Sequence, residues 1–241
     1  MIENGAMVDI IRLITGALIL SYASYTDIKT RKASNILWLI MGVIGGILLL
    51  VQYFIIGFDN VYILIFIPIL MAMWYVFFQL RLIFGGADAK ALMAITILVP
   101  TVPQIFGYPL WSYALPFNFV IFANSVILFL FIPLGLFVYN LIRRDIELPF
   151  CFLGYKMSVE QAKQSFVWPL EKIKNGKRKF AYMPKDFNIE SQLKIFEIKG
   201  IKEIWVTPKI PFMIPLLAGF ISSFFVGDIM SYIVQNIMSI F

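Results

Sequence analysis

Histidine is absent from the 241-residue sequence, and cysteine occurs once, at Cys151. The first absence excludes Ser-His-Asp and Cys-His catalysis, His-ligated zinc and His-Glu-X-X-His metalloproteolysis. The second excludes a disulfide within the chain and a four-cysteine zinc site. Charge is scarce as well: 14% of residues are charged against 61% hydrophobic, and the mean hydropathy of +0.86 lies far outside the range of water-soluble domains. The opening Met1-Ile2-Glu3-Asn4-Gly5 carries no basic residue, and no small-residue cleavage site follows the first apolar stretch. A permanent first helix is therefore expected in place of a removable signal. What remains for acid-base chemistry is chiefly Asp, Glu, Lys and Tyr.

The hydrophobic surplus is present as long runs. A helix crossing the roughly 30 Å hydrocarbon layer needs about 20 mostly apolar residues, because lipid offers no partner to an unpaired amide. Runs of this kind predict helices at about 7–26, 35–56, 61–80, 88–106, 117–142 and 209–226. Residues 143–208 hold most of the chain's charge, including Lys174-Asn175-Gly176-Lys177-Arg178-Lys179, and no long apolar run. A helix near Val159–Phe166 and a helix followed by a strand over Ile189–Val206 are expected there. The expected fold class is an all-α polytopic membrane protein with about six transmembrane helices and a small cytoplasmic α/β insert. Its parts are helices one to five (1–142), the insert (143–208) and the last helix (209–241).

Lys and Arg orient such a chain, since short loops rich in them stay cytoplasmic. Lys29, Arg31 and Lys32 follow the first helix, Arg81 and Lys90 flank the third loop, and the insert is basic. The other side receives Glu3 and Asp9, the Gly57-Phe58-Asp59-Asn60 turn and an uncharged loop near Gly107–Leu115, with Arg12 the one residue out of place. A multi-pass plasma-membrane protein with its N-terminus outside is expected. The net charge of +6 belongs to the cytoplasmic face, suits anionic lipid headgroups, and gives no reason to invoke nucleic acid.

Acids at membrane depth are costly, so the few near helix ends carry the most information. Asp27 closes the first predicted helix and Asp88 opens the fourth, both near the cytoplasmic boundary. Two carboxyls brought together in a poorly hydrated cleft share a proton, one acting as acid and the other as base. The ionised member can then activate a water against a peptide carbonyl while the protonated member polarises that carbonyl, with no cofactor or metal. The Gly85-Gly86-Ala87 run before Asp88 would let an extended substrate lie close to the backbone. Taken singly, Asp27 reads equally as a solvated loop residue or helix cap, and Asp88 as an N-cap or first-turn acid.

The segment Asp27-Ile28-Lys29-Thr30-Arg31-Lys32-Ala33-Ser34-Asn35 resembles the Asp-X-basic-X-basic-X-Ile-Pro-Asn stretch of the type IV prepilin peptidases. Gly85-Gly86-Ala87-Asp88 resembles the Gly-X-Gly-Asp motif of the intramembrane aspartyl proteases, and size and helix order are most similar to the archaeal preflagellin peptidases. Ala87 stands at the second motif glycine, and Ala33-Ser34 stand where Ile-Pro is usual. The resemblance implies Asp27 and Asp88 as the catalytic pair, with Gly85, Gly86, Ala87 and Asn35 as motif positions on the substrate side. It implies as substrate a membrane-inserted preflagellin or type IV pilin-like precursor, cut near the cytoplasmic face after a short basic leader, commonly following glycine. The methyltransferase activity of bacterial relatives, tied to a cysteine-rich N-terminal extension, is not expected.

Two rival readings remain. A transporter would use Asp27 and Asp88 as proton or cation carriers, although no inverted repeat is evident and neither acid lies at mid-membrane. A non-catalytic scaffold would bind partners through the basic insert. Of the other polar residues, Asp228 reads as a helix-end acid, Lys90 as a cytoplasmic anchor, and Cys151 as an interfacial residue. Pro211 and Pro215 suit the start of the last helix. The Lys- and Gly-containing run 172–179 suggests a mobile insert that helps position the leader.

Overall fold

The computed structural model describes residues 2–57, 62–83, 85–111, 115–174, 177–181 and 189–239. Outside them lie Phe58-Asp59-Asn60 of the expected turn, residues 112–114 of the uncharged loop, and Asn175-Gly176 of the basic run. The protein is mostly helical and divides into two compact units, Met1–Phe129 with Pro211–Phe241, and Leu130–Ile210.

The first unit is built from α1 (Ile2–Thr30), α2 (Asn35–Val51), α3 (Ile63–Gln79), α4 (Gly86–Leu98), α5 (Phe117–Leu130), α10 (Met213–Phe225) and α11 (Ile229–Met238). Helices thus occur at all six predicted places. Among the described residues three are long and apolar enough to cross a membrane, Gly5–Thr30, Asn35–Ile56 and Phe117–Arg143, or four if the bent pair α10 and α11 counts as one span. The fourth predicted helix is shorter than expected. It stops at Leu98 because Pro100 drives Val99 out of the helical region, to φ −129° and ψ 76°. Conversely, α1 runs past residue 26 to Thr30, so Asp27 lies within a helix and the solvated-loop reading of it is corrected.

Close packing in this unit depends on small residues, as expected where lipid supplies no drive for helices to associate. A Cβ on Gly45 of α2 would sit 2.7 Å from the Leu98 Cα of α4, and one on Gly16 of α1 would sit 2.2 Å from the Phe220 ring of α10. Polar bonds add register. Ser24 Oγ donates to the Met213 carbonyl (2.9 Å), tying α1 to α10. Thr96 Oγ1 on α4 accepts from Trp74 Nε1 of α3 (3.2 Å) and Asn118 Nδ2 of α5 (3.0 Å). The core around them comprises Trp74, Met41, Leu92, Ile95, Leu98, Phe117 and Phe220.

Arg12, out of place by the charge rule, is fully buried. Its guanidinium donates to Asp9 (3.0 Å) and to Gln52 Oε1 (2.8 Å), while the Gln104 amide donates to the other Asp9 oxygen (2.9 Å). Gln52 opens a π-helical turn, Gln52–Ile56, that follows α2.

The second unit holds α6 (Ile132–Arg143), α7 (Phe150–Leu153), α8 (Val159–Gln164) and α9 (Ile189–Ile198). Its strands are β1 (Tyr155–Ser158), β2 (Val167–Pro169), β3 (Glu171–Lys174), β4 (Lys177–Phe180) and β5 (Glu203–Pro208). Antiparallel strands in the order β1-β5-β2 form one sheet, with Tyr155 opposite Val206 and Pro169 opposite the same residue on the other edge. A capping box of Ser158 and Gln161 starts α8. Val159, Leu193, Phe196, Ile204 and Val206 close the core. The basic run 172–179 contributes to two antiparallel strands, β3 and β4, with Lys172 opposite Lys179. Cys151 is fully buried beside Leu170 and Trp205 and is not interfacial. Glu171, also buried, accepts from Arg178 Nε (3.0 Å). Burial pushes its carboxyl above the usual Glu range, and the Arg178 guanidinium opposes that shift.

Candidate active site

Two sets of contacts fix the depth of the candidate residues. Lys90 at the start of α4 reaches Asn35 at the start of α2 (2.9 Å), and Leu98 at the end of α4 meets Gly45 further along α2. The two helices therefore run parallel, and ten residues before that crossing on each lie Asn35 and Asp88, at one level about 15 Å away. In α1 and α10 the pairs Ser24–Met213 and Gly16–Phe220 require an antiparallel arrangement, which puts Asp27 at the end where α10 begins. The four-residue connection 31–34 keeps the end of α1 beside the start of α2. Asp27, Asn35 and Asp88 thus share one end of the bundle.

Packing of α1 against α4 brings the carboxylates of Asp27 and Asp88 within electrostatic reach of each other. Both residues are partly buried. Arg31, one turn beyond Asp27, acts on it electrostatically and closes α1 in a left-handed conformation at φ +56°. The sequence held that signal in the i, i+4 spacing, which became meaningful once α1 extended past residue 26. Among the described residues neither the Asp27 nor the Asp88 carboxyl accepts a hydrogen bond, although the Asp27 backbone carbonyl takes the Arg31 amide (3.0 Å). Asp88 is the third residue of α4 and does not cap it, since the N-cap is Gly85 and no side-chain cap bond is present.

Gly85 has φ −94° and ψ 122°, an extended backbone open to any residue, so conformational freedom is not its purpose. Its purpose is space. A Cβ there would lie 2.1 Å from Asp88 Oδ2, so the carboxyl rests directly on the glycine Cα. At Gly86 a Cβ would make ordinary contact with Phe78, 3.6 Å away. Ala87 packs against the main core, which accommodates its methyl at the second motif position. The motif positions thus differ sharply in how much they constrain.

Lys90 turns to Asn35. This link spans 55 residues and had no local signal in the sequence. Among the described residues no group of three His, Cys, Asp or Glu side chains is arranged to hold a metal ion.

The chain matches the family described as Archaeal Peptidase A24 C-terminus Type II over residues 146–229. It is 30% identical over 236 residues to a preflagellin peptidase of Methanococcus voltae, covering 88% of this chain and 94% of that protein. A preflagellin peptidase of Methanocaldococcus jannaschii is 28% identical over 229 residues, covering 90% of this chain and 94% of that protein. A third, from Methanococcus maripaludis, is 26% identical over 243 residues, with 90% and 96% covered.

Proposed function

The chain belongs to the preflagellin peptidase family, and from that premise we propose that it is a membrane-embedded aspartyl endopeptidase that removes the leader peptide of a preflagellin or pilin-like precursor. The observation that carries the reading is the pair of carboxyls, Asp27 and Asp88, within electrostatic reach of each other at one end of the helix bundle. Two carboxylates brought close together repel, so the pair takes up one proton in common. The ionised member accepts a proton from the attacking water. The protonated member donates to the scissile carbonyl as negative charge grows on its oxygen, and the tetrahedral species then collapses with proton delivery to the leaving amine. Water, two carboxyls and one shared proton suffice, and the proton count of the pair is restored at the end of each cycle.

Gly85 supports this reading by keeping the Asp88 carboxyl in position. Asn35 and Gly86, at the same end of the bundle, are the positions against which an extended precursor would lie. The excess of Lys and Arg in the loops at this end argues for the cytoplasmic face, by the rule that basic short loops are retained there. The substrate is then cut where its own helix leaves the inner leaflet.

Asp27→Asn and Asp88→Asn variants, each purified in detergent and given a full-length precursor, test the assignment. Each is expected to lose cleavage by at least about 100-fold, the lower range for a positioned acid or base, with folding intact. Cleavage retained by either variant would remove that residue from the mechanism. A transporter would leave the precursor uncut in the wild type as well.

A further inference from the structure

The last helix breaks at Gly227, and the break is held from several directions. Gly227 has φ +101°, and a Cβ there would lie 2.3 Å from the Trp111 carbonyl oxygen, so only glycine fits. Asn124, fully buried, brackets the turn by donating to the Gly227 carbonyl (2.8 Å) and accepting from the Ile229 amide (3.2 Å). Asp228 caps α11 through the Ser231 amide (3.0 Å) and hydroxyl (2.6 Å). The amides of Leu110 and Trp111 bond the carbonyls that α10 leaves free at Phe225 and Val226. Trp111 then stacks on Tyr232 of α11, with ring centroids 3.7 Å apart and planes 2° from parallel. The outcome is a fixed elbow that turns α11 by 65° from α10.

No residue of α11 is buried, and none of Ile229–Met238 is charged. At 100° per residue, Ile229, Met230, Ile233, Val234, Ile237 and Met238 cover one half of the helix, with Ser231, Gln235 and Asn236 on the other. Ile214, Ile221 and Phe225 form a partly exposed apolar stripe on α10 as well. Ten residues make about 15 Å of helix, half the hydrocarbon thickness, so α11 cannot complete a crossing. Turned through 65°, it descends only about 6 Å along the α10 axis, within the roughly 5–10 Å depth of interfacial helices.

We propose that α11 is an in-plane membrane anchor. It lies at the headgroup and acyl-chain boundary on the end of the bundle away from Asp27 and Asp88, its apolar half in the acyl chains and the Trp111–Tyr232 pair at headgroup level. The occupant of this face is lipid. It lacks the Gly and Ala that let membrane helices approach one another, and α10 before it exposes an apolar stripe of its own.

Spin labels on single cysteines at Met230, Ile233, Ile237 and Gln235 of the full chain in phospholipid vesicles test this. The native Cys151 is buried, and an unsubstituted sample gives its background. The labels at 230, 233 and 237 are expected to share one shallow depth and collide more with oxygen than with a water-soluble nickel chelate, while the label at 235 shows the reverse preference. A depth that increases from 230 to 237 by clearly more than the roughly 4 Å that a 65° turn gives over seven residues would mean a helix plunging into the bilayer and would overturn the proposal. So would water exposure of the apolar-half labels, or spin coupling between copies, which would assign the face to a second chain.

Discussion

Gly85 separates two reasons for a glycine. Its backbone angles suit any residue, and the constraint is the 2.1 Å between a would-be Cβ and the Asp88 carboxylate oxygen. Gly85→Ala is therefore expected to push that carboxyl aside and lower kcat/KM for precursor cleavage by about 100-fold, the scale of an ångström's misplacement of a reacting group. Gly86→Ala, with open van der Waals contact to Phe78, is expected to stay within about threefold of wild type. Parallel kinetics and thermal melts of the two variants check the contrast. Glu171 makes a second prediction at this scale. Burial raises its carboxyl, so the folded chain keeps a proton that the unfolded chain has already released. That contribution is complete below the ordinary Glu value of about 4.3 and is lost as pH rises from there through the raised folded value. Glu171→Gln should flatten this segment of the curve of melting temperature against pH, read from tryptophan fluorescence.

Among the elements, α2 and α4 set the position of the candidate site, because their crossing at Gly45 fixes the level of Asn35 and Asp88. A side chain at 45 meets backbone and not a movable tip, with the Leu98 Cα and amide nitrogen at 2.7 and 2.8 Å. Gly45→Val should force the two helices apart, cost about 1–3 kcal/mol as core overpacking does, and reduce cleavage although the crossing lies about 15 Å along α4 from Asp88. Denaturation in detergent and turnover of the same sample measure both effects. The elbow between α10 and α11 follows the same logic. There the sequence carried a hint, since a helix from 209 to 241 would exceed 30 residues, yet the place of the break depends on Asn124 and Trp111 from distant segments.

Across the whole molecule, polar groups within the bundle are matched over long stretches of chain. Arg12 finds Asp9 three residues away but Gln52 forty residues on, and Asp9 also takes the Gln104 amide. With Arg12 fully buried, Asp9→Asn or Arg12→Met alone should cost about 3–5 kcal/mol by stranding the remaining charge. Replacing both by apolar residues should cost clearly less than the sum, and a double-mutant cycle in detergent measures the difference. At the other end of the bundle the carboxyls of the two candidate acids carry no hydrogen bond among the described residues.

By itself the sequence determined the membrane class, the places of six apolar helices, one helix and one helix–strand pair of the basic segment, and Asp27 and Asp88 as the acids to watch. These follow from patterns a few residues long, namely hydropathy runs, Pro and Gly punctuation, capping residues and charge bias. Only the tertiary structure decided that the helices carrying the two acids, 61 residues apart, pack against each other, that Arg12 is neutralised by partners, and that Lys90 binds Asn35. Each of these depends on which residue of one helix stands level with which residue of another. Helix-to-helix register of that kind is set by side-chain packing between distant segments, and nothing in a local run of sequence encodes it.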